Sequence, residues 1–435
     1  MSILRLALNQ ILEKPLQSGI NLLVMALGLG MVSLLLLGQH QFQERMGRDA
    51  EGIDLVVGAA GSPMQLILSS VYHVDIPTGN IPAEARDVVA EERAVALTIP
   101  LALGDNYQGY RLVGTETTLI EHYGGTLAEG RHWDQPLEAV AGARAARETG
   151  LAAGDEFAPQ HGLGDGGPAH GEHPHRVVGV LEPTGTILDR LILTSVASVW
   201  RTHGHDHGHD EHGEEHDHGH DHEHGDAHDE AGNPGPGQEP AVETHGEAAH
   251  GEPGEFTALL VRYAAPIAAA RLPDRIDRET PWQSASPAYQ SARLASLIDP
   301  GVRALQWLGA LLLGAALLGV VALIYQNLAE RRYDLALLRA MGARPGLLFR
   351  LTLIQGLILV MAGLVTGLAA SHLALEVLGR WTEAGRDLAL TGWTWTPAQS
   401  WLAAGILGAG LVLTLIPAWL AARTEVAGTL RHGPD

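Results

Sequence analysis

The chain of 435 residues contains no cysteine. That excludes disulfides and every thiolate metal site. Lysine is almost absent, with Lys14 the only one among 28 basic residues. Between Arg201 and Arg262 there is no basic residue, while 16 Asp and Glu fall there. The net charge of −22 therefore belongs largely to one stretch and not to the whole fold. No nucleophile elbow, zinc-hydrolase HExxH or phosphate-cradling GxxxxGK[ST] loop occurs. The expectation is a non-catalytic chain that does not itself hydrolyse ATP. No basic patch suits a nucleic-acid partner, so none is expected. The length predicts at least two folding units.

What is present is apolar sequence in membrane-length runs. Crossing a bilayer takes about 20 apolar residues. Residues 19–39, 304–326, 351–375 and 400–422 each supply such a run. The first reads as a retained anchor, because Gly38-Gln39-His40-Gln41 offers no small-x-small cleavage site. Cations set the orientation. Arg5, Lys14, Arg331, Arg332, Arg339, Arg344, Arg350, Arg423 and Arg431 flank one side. Only Arg380 and Arg386 lie in the short loop 376–399. The positive side faces the cytoplasm. Both termini, residues 1–18 and 423–435, are then expected inside, with residues 327–350 as a cytoplasmic loop. Residues 40–303 lie outside, in the periplasm of a Gram-negative cell. Before the first span, Leu4, Ala7, Leu8, Ile11 and Leu12 recur at helical spacing. They predict an amphipathic helix on the inner leaflet, with Pro15 and Gly19 allowing a turn into the span.

The outer segment alternates short strand-like and helix-like runs. Strands are expected at 53–57, 97–103, 110–114, 177–181, 191–195 and 256–262, and helices at 82–94, 143–149 and 266–276. Residues 293–303 read as a stalk helix entering the second span. The fold class is an α-helical membrane domain of four spans plus an α+β extracytoplasmic domain between spans one and two.

Within that domain, residues 202–255 form a polar insert that cannot bury a core and is expected to be disordered. Its histidines are His203, His205, His207, His209, His212, His216, His218, His220, His222, His224 and His228, interleaved with nine carboxylates, and His245 and His250 follow. Imidazoles and carboxylates suit Zn²⁺, with Ni²⁺ and Cu²⁺ as competitors. So many near-equivalent ligands predict several loose sites, weakened as pH falls. A smaller group, His161, His170, His173 and His175, lies upstream. His372 and Glu376 lie near the outer end of the third span, where a lone histidine reads as an interfacial residue.

The loop between spans two and three carries Glu330, Arg331, Arg332, Arg339, Arg344 and Arg350. Leu335, Leu338 and Met341 mark one face of a short helix there. Gly342 stops that helix, and Pro345 prevents simple continuation. Such a helix, held at the membrane, fits a groove on a soluble partner.

At these residues the chain resembles the MacB/FtsX superfamily of ABC-transporter permeases. The resemblance is carried by Asn327-Leu328-Ala329-Glu330-Arg331-Arg332, by Leu337-Leu338-Arg339-Ala340-Met341-Gly342-Ala343, and by Ile416-Pro417-Ala418-Trp419-Leu420-Ala421-Ala422-Arg423. Asp54-Leu55-Val56-Val57 and Gly150-Leu151-Ala152-Ala153-Gly154-Asp155 extend it more loosely. The order of one span, a large domain and three spans is similar too. The resemblance implies a permease dimer, with a second copy or a paralogue, bound to a separate ABC ATPase. It implies that residues 331–344 form the coupling helix. It implies that ATP, used by the partner, moves the periplasmic domain against an envelope substrate or a periplasmic partner protein. An FtsX-like activator of a cell-wall hydrolase and a metal-binding membrane protein without transport are the alternatives. The histidine insert is no general feature of the superfamily.

Overall fold

The computed structural model describes residues 3–162, 171–203, 254–330, 345–382, 385–386 and 388–422. They fall into two compact units, Met1–Arg48 with Ser291–Asp435, and Asp49–Gln290.

The first unit is helical. A short helix, Ile3–Leu12, precedes four long ones, Pro15–Asp49, Pro287–Glu330, Pro345–Trp381 and Pro397–Ala422. Each long helix opens on proline, whose missing N–H and fixed φ suit the first helical turn. All four are long and apolar enough to cross a membrane. The break before the first long helix falls at Glu13 and Lys14, and Gly19, expected in a turn, lies inside the helix. The helices also outrun their apolar stretches. The first continues to Asp49, the third to Trp381, and the second begins at Pro287, absorbing the expected stalk through Pro300. An apolar run marks where lipid can surround a helix, not where its hydrogen-bonded ladder ends.

Met25 and Leu29 of the first long helix pack with Leu313 and Ala316 of the second, Val360 and Leu364 of the third and Ile406 of the fourth. The short N-terminal helix is held too: its Ile11 packs on Val320, Leu323, Ile324 and Leu359. Its Leu6, Leu8 and Leu12 stay exposed, as an amphipathic helix requires.

The second unit is α+β, built on one mixed sheet. The strand order is Trp282–Ala285, Leu55–Ala59, Ala258–Tyr263, Val95–Tyr107, Tyr110–Thr115, Leu191–Ser195, Glu138–Ala141, His175–Leu181, Leu127–Gly130. Parallel pairing occurs between Tyr110–Thr115 and Leu191–Ser195, and between Glu138–Ala141 and His175–Leu181. The long strand Val95–Tyr107 joins two halves. Its first part pairs with Ala258–Tyr263 over a core of Leu55, Val57, Ile81, Phe256, Leu259 and Ile276. Its last part pairs with Tyr110–Thr115 over a second core of Leu112, Ala139, Ala145, Phe157, Val177 and Ile192. Gln108 and Gly109 close that hairpin, both at positive φ, as a two-residue turn matched to strand twist demands.

Two expected helices are shorter than the sequence suggests. Residues 82–94 hold only Ala85–Ala90, and residues 266–276 divide into a 3-10 turn, Pro266–Ala270, and the helix Leu272–Glu279. In the second case Pro273 starts a new helix instead of continuing the old one.

Candidate functional site

Strand Val95–Tyr107 is buried along most of its length, and Asp105 is an acid within it, 2% exposed. A register shift between Leu103 and Asp105 marks a bulge, and such bulges re-aim side chains. Asp105 pairs in register with His161 of the short strand Gln160–His161. Nδ1 of His161 lies 3.2 Å from one oxygen of Asp105. Nε2 of His203, the last residue of helix Val196–His203, lies 3.2 Å from the other. The two imidazoles face each other with centroids 4.9 Å apart. One donor atom from each of the three residues lies within 4.8 Å of the others.

Neighbouring groups hold this arrangement. The buried Asn106 donates from Nδ2 to the carbonyls of Gln160 (3.3 Å) and Gly162 (2.9 Å), on both sides of His161. The Gly162 amide donates to the Gly104 carbonyl at 2.9 Å. A Cβ on Gly104 would stand 3.6 Å from Nε2 of His203, so the ring packs over the bulge. Helix Val196–His203 is anchored by Trp200 Nε1 donating to the Glu255 carbonyl at 2.7 Å, while Thr202 Oγ1 donates within the helix to the Ser198 carbonyl.

Of the insert histidines expected to bind metal, His203 is in this cluster, and His205–His228 lie outside the described residues. The upstream histidines do not form one group. His161 joins Asp105, whereas His175 is fully buried in its strand against Phe157. His170 lies outside the described residues. Asp105 was missed from sequence. Its signal is an acid inside an otherwise apolar strand run, VALTIPLALGDNY.

Of the expected coupling residues, Glu330 ends the second long helix and pairs with Lys14. Arg331, Arg332, Leu335, Leu338, Arg339, Met341, Gly342 and Arg344 lie outside the described residues. Gln39 of the first long helix donates to Asp299 of the second at 3.4 Å, so Lys14 and Glu330 meet at the opposite end of that helix pair.

The helical unit also holds a polar cluster. Gln399 Nε2 donates to Ser33 Oγ at 2.8 Å and lies 3.1 Å from His372 Nε2. Ser371 Oγ donates to Ser33 Oγ at 2.9 Å. His372 stacks on Trp395, and Glu376 accepts from the Gly392 amide at 2.9 Å. Gln41 bridges to Thr391 and Thr394. These contacts make His372 a packing residue of the segment between the third and fourth helices.

Residues 308–425 match the family model of the FtsX-like permease C-terminal domain. The membrane part that follows the inter-span domain is thus an FtsX-like permease region, within a multi-pass membrane protein. No curated protein matches the chain. Among solved structures, the periplasmic region of MacB from Actinobacillus actinomycetemcomitans is similar at 9% identity and a TM-score of 0.32, covering 56% of this chain and 95% of that one. The extracellular domain of a noncanonic ABC-type transporter, YknZ, from Gram-positive bacteria is similar at 12% identity and a TM-score of 0.28, covering 53% and 98%. The α+β assignment of the inter-span unit rests on its own strand order.

Proposed function

We propose that this chain is the membrane subunit of an ABC-type system whose ATP is hydrolysed by a separate ATPase. The observation that carries this reading is the FtsX-like permease match over residues 308–425, joined to the order of one spanning helix, an α+β domain and three spanning helices. Residues 330–344 form the coupling segment. The ATPase closes and opens beneath it, and the stroke passes along the long helices to the α+β domain in the periplasm. Continuity supports that route, because Pro287–Glu330 is one uninterrupted helix from the domain edge to the coupling segment. The moving domain releases or exports an envelope substrate. The histidine insert ties this work to zinc or a related divalent metal. The functional unit is a dimer of permease chains, in the cytoplasmic membrane with both termini inside.

The test is affinity purification of the detergent-solubilised protein from its own host, with mass spectrometry of what accompanies it. A small soluble ATPase at near-equal stoichiometry is expected. Leu338→Asp with Met341→Asp is expected to abolish that association by placing charge on the docking face. No ATPase under conditions that preserve the dimer, or association unchanged by the double substitution, overturns the reading.

A further inference from the structure

We propose that Asp105, His161 and His203 form a fixed zinc-binding site at the root of the histidine insert, separate from any loose sites along it. The geometry suits one ion. Tetrahedral zinc with bonds of about 2.0–2.1 Å holds its ligands about 3.3 Å apart. The two imidazole nitrogens each stand 3.2 Å from an Asp105 oxygen. Small rotations of the side chains bring one oxygen and both nitrogens onto a common centre, since all three donor atoms lie within 4.8 Å.

The donor chemistry points the same way. Two neutral imidazoles and one carboxylate are the ligands zinc takes when a fourth position is left to water. A carboxylate as buried as Asp105 is costly to ionise unless a positive charge meets it. A divalent ion supplies that charge and leaves both rings neutral. The surroundings are those of a built site. Asn106 clamps the chain on both sides of His161, and the His203 ring packs beside Gly104. Groups that orient ligands in this way sharpen metal affinity by roughly 10–100-fold.

The three ligands come from strand Val95–Tyr107, strand Gln160–His161 and helix Val196–His203, so the ion cross-links separate elements. Binding therefore stabilises the domain by mass action. This site stands on its own geometry and does not depend on an ATPase partner.

The experiment uses the full-length protein in detergent with every histidine from His205 to His250 replaced by glutamine. Zinc alone is the probe, read by elemental analysis after dialysis, by competition with a chelating dye and by the shift in melting temperature. The expected result is a single retained zinc per chain with a raised melting temperature. His161→Gln and His203→Gln, each in that background, are expected to weaken zinc by at least about 10-fold and to remove the thermal shift, with the zinc-free melting temperature nearly unchanged. Asp105→Asn repeats the test from the carboxylate side. Should Asp105→Asn fail to fold, the two histidine variants decide alone. Failure of the glutamine-insert protein to retain zinc overturns the proposal, as does retention undiminished by the histidine substitutions. Loss of the ATPase association in the purification above leaves this outcome untouched, so the two readings fail separately.

Discussion

Gly28 and Gly309 bring the first and second long helices together backbone to backbone. A Cβ on Gly28 would lie 3.1 Å from the Gly309 carbonyl oxygen and 2.9 Å from the Leu313 amide nitrogen. A Cβ on Gly309 would lie 2.5 Å from a methyl of Val32. Small residues are what allow spanning helices to approach this closely.

Gly28→Leu is therefore expected to push the first helix off the second. Overpacking of this kind costs about 1–3 kcal/mol or more. The melting temperature in detergent should fall clearly. Gly405 offers the contrast, since nothing lies within 4 Å of a Cβ there. Gly405→Ala should leave the melting temperature unchanged or raise it, through helix propensity worth up to about 1 kcal/mol.

His73 gives the α+β unit a pH dependence. Burial, then the nearby positive charges of Arg111 and Arg190, lowers its pKa from 6.5 to about 3. The unfolded chain takes up this proton as pH falls below 6.5, while the folded domain refuses it until about 3. The stabilising contribution is thus whole above pH 6.5 and is lost progressively between 6.5 and 3. His73→Gln cannot titrate. With zinc removed by chelator, its melting temperature should fall less than that of the wild type between pH 7 and pH 4. Equal slopes for the two proteins would contradict the assignment.

Gln399 is fully buried and serves Ser33, His372 and the Thr396 amide at once. Gln399→Leu leaves these groups without their shared partner. A buried polar group stripped in this way costs about 1–3 kcal/mol. The variant should melt lower in detergent. Proteolysis should also find the segment 388–396 sooner, because Gln399 caps the turn that precedes the fourth helix.

Much of the architecture was legible in the sequence, for physical reasons that differ by element. The spanning helices announce themselves because a helix in lipid needs a long, nearly unbroken apolar run. Strand Leu191–Ser195 was placed residue for residue, being short, apolar and bounded by turn residues. Edge strands escaped, and so did the interior strand Glu138–Ala141, whose four residues are too few to show a period. Leu127–Gly130 is mostly exposed, and Trp282–Ala285 lies at the sheet margin, so neither shows the alternation a half-buried strand carries. The helix ends escaped too, since a helical ladder continues through Gln39–Asp49 without help from apolar side chains. The Asp105–His161–His203 cluster was half legible. Histidine density marks the tract in the sequence, His203 included. Register across a sheet, which brings Asp105 to His161, leaves no trace in local composition.

Trp200 and Glu255 pin the two ends of the insert to each other, one from the helix before it and one from the strand after it. Trp200 also stacks on Phe256 at 5.9 Å. The segment between 204 and 253 thus departs from and returns to neighbouring points of a finished domain. The entropic cost of chain joining two fixed points grows only logarithmically with its length, about 0.6 kcal/mol for each doubling. Histidine repeats can be gained or lost there over generations at almost no cost to the sheet. The number of repeats is then free to vary, while the domain that carries them stays as it is.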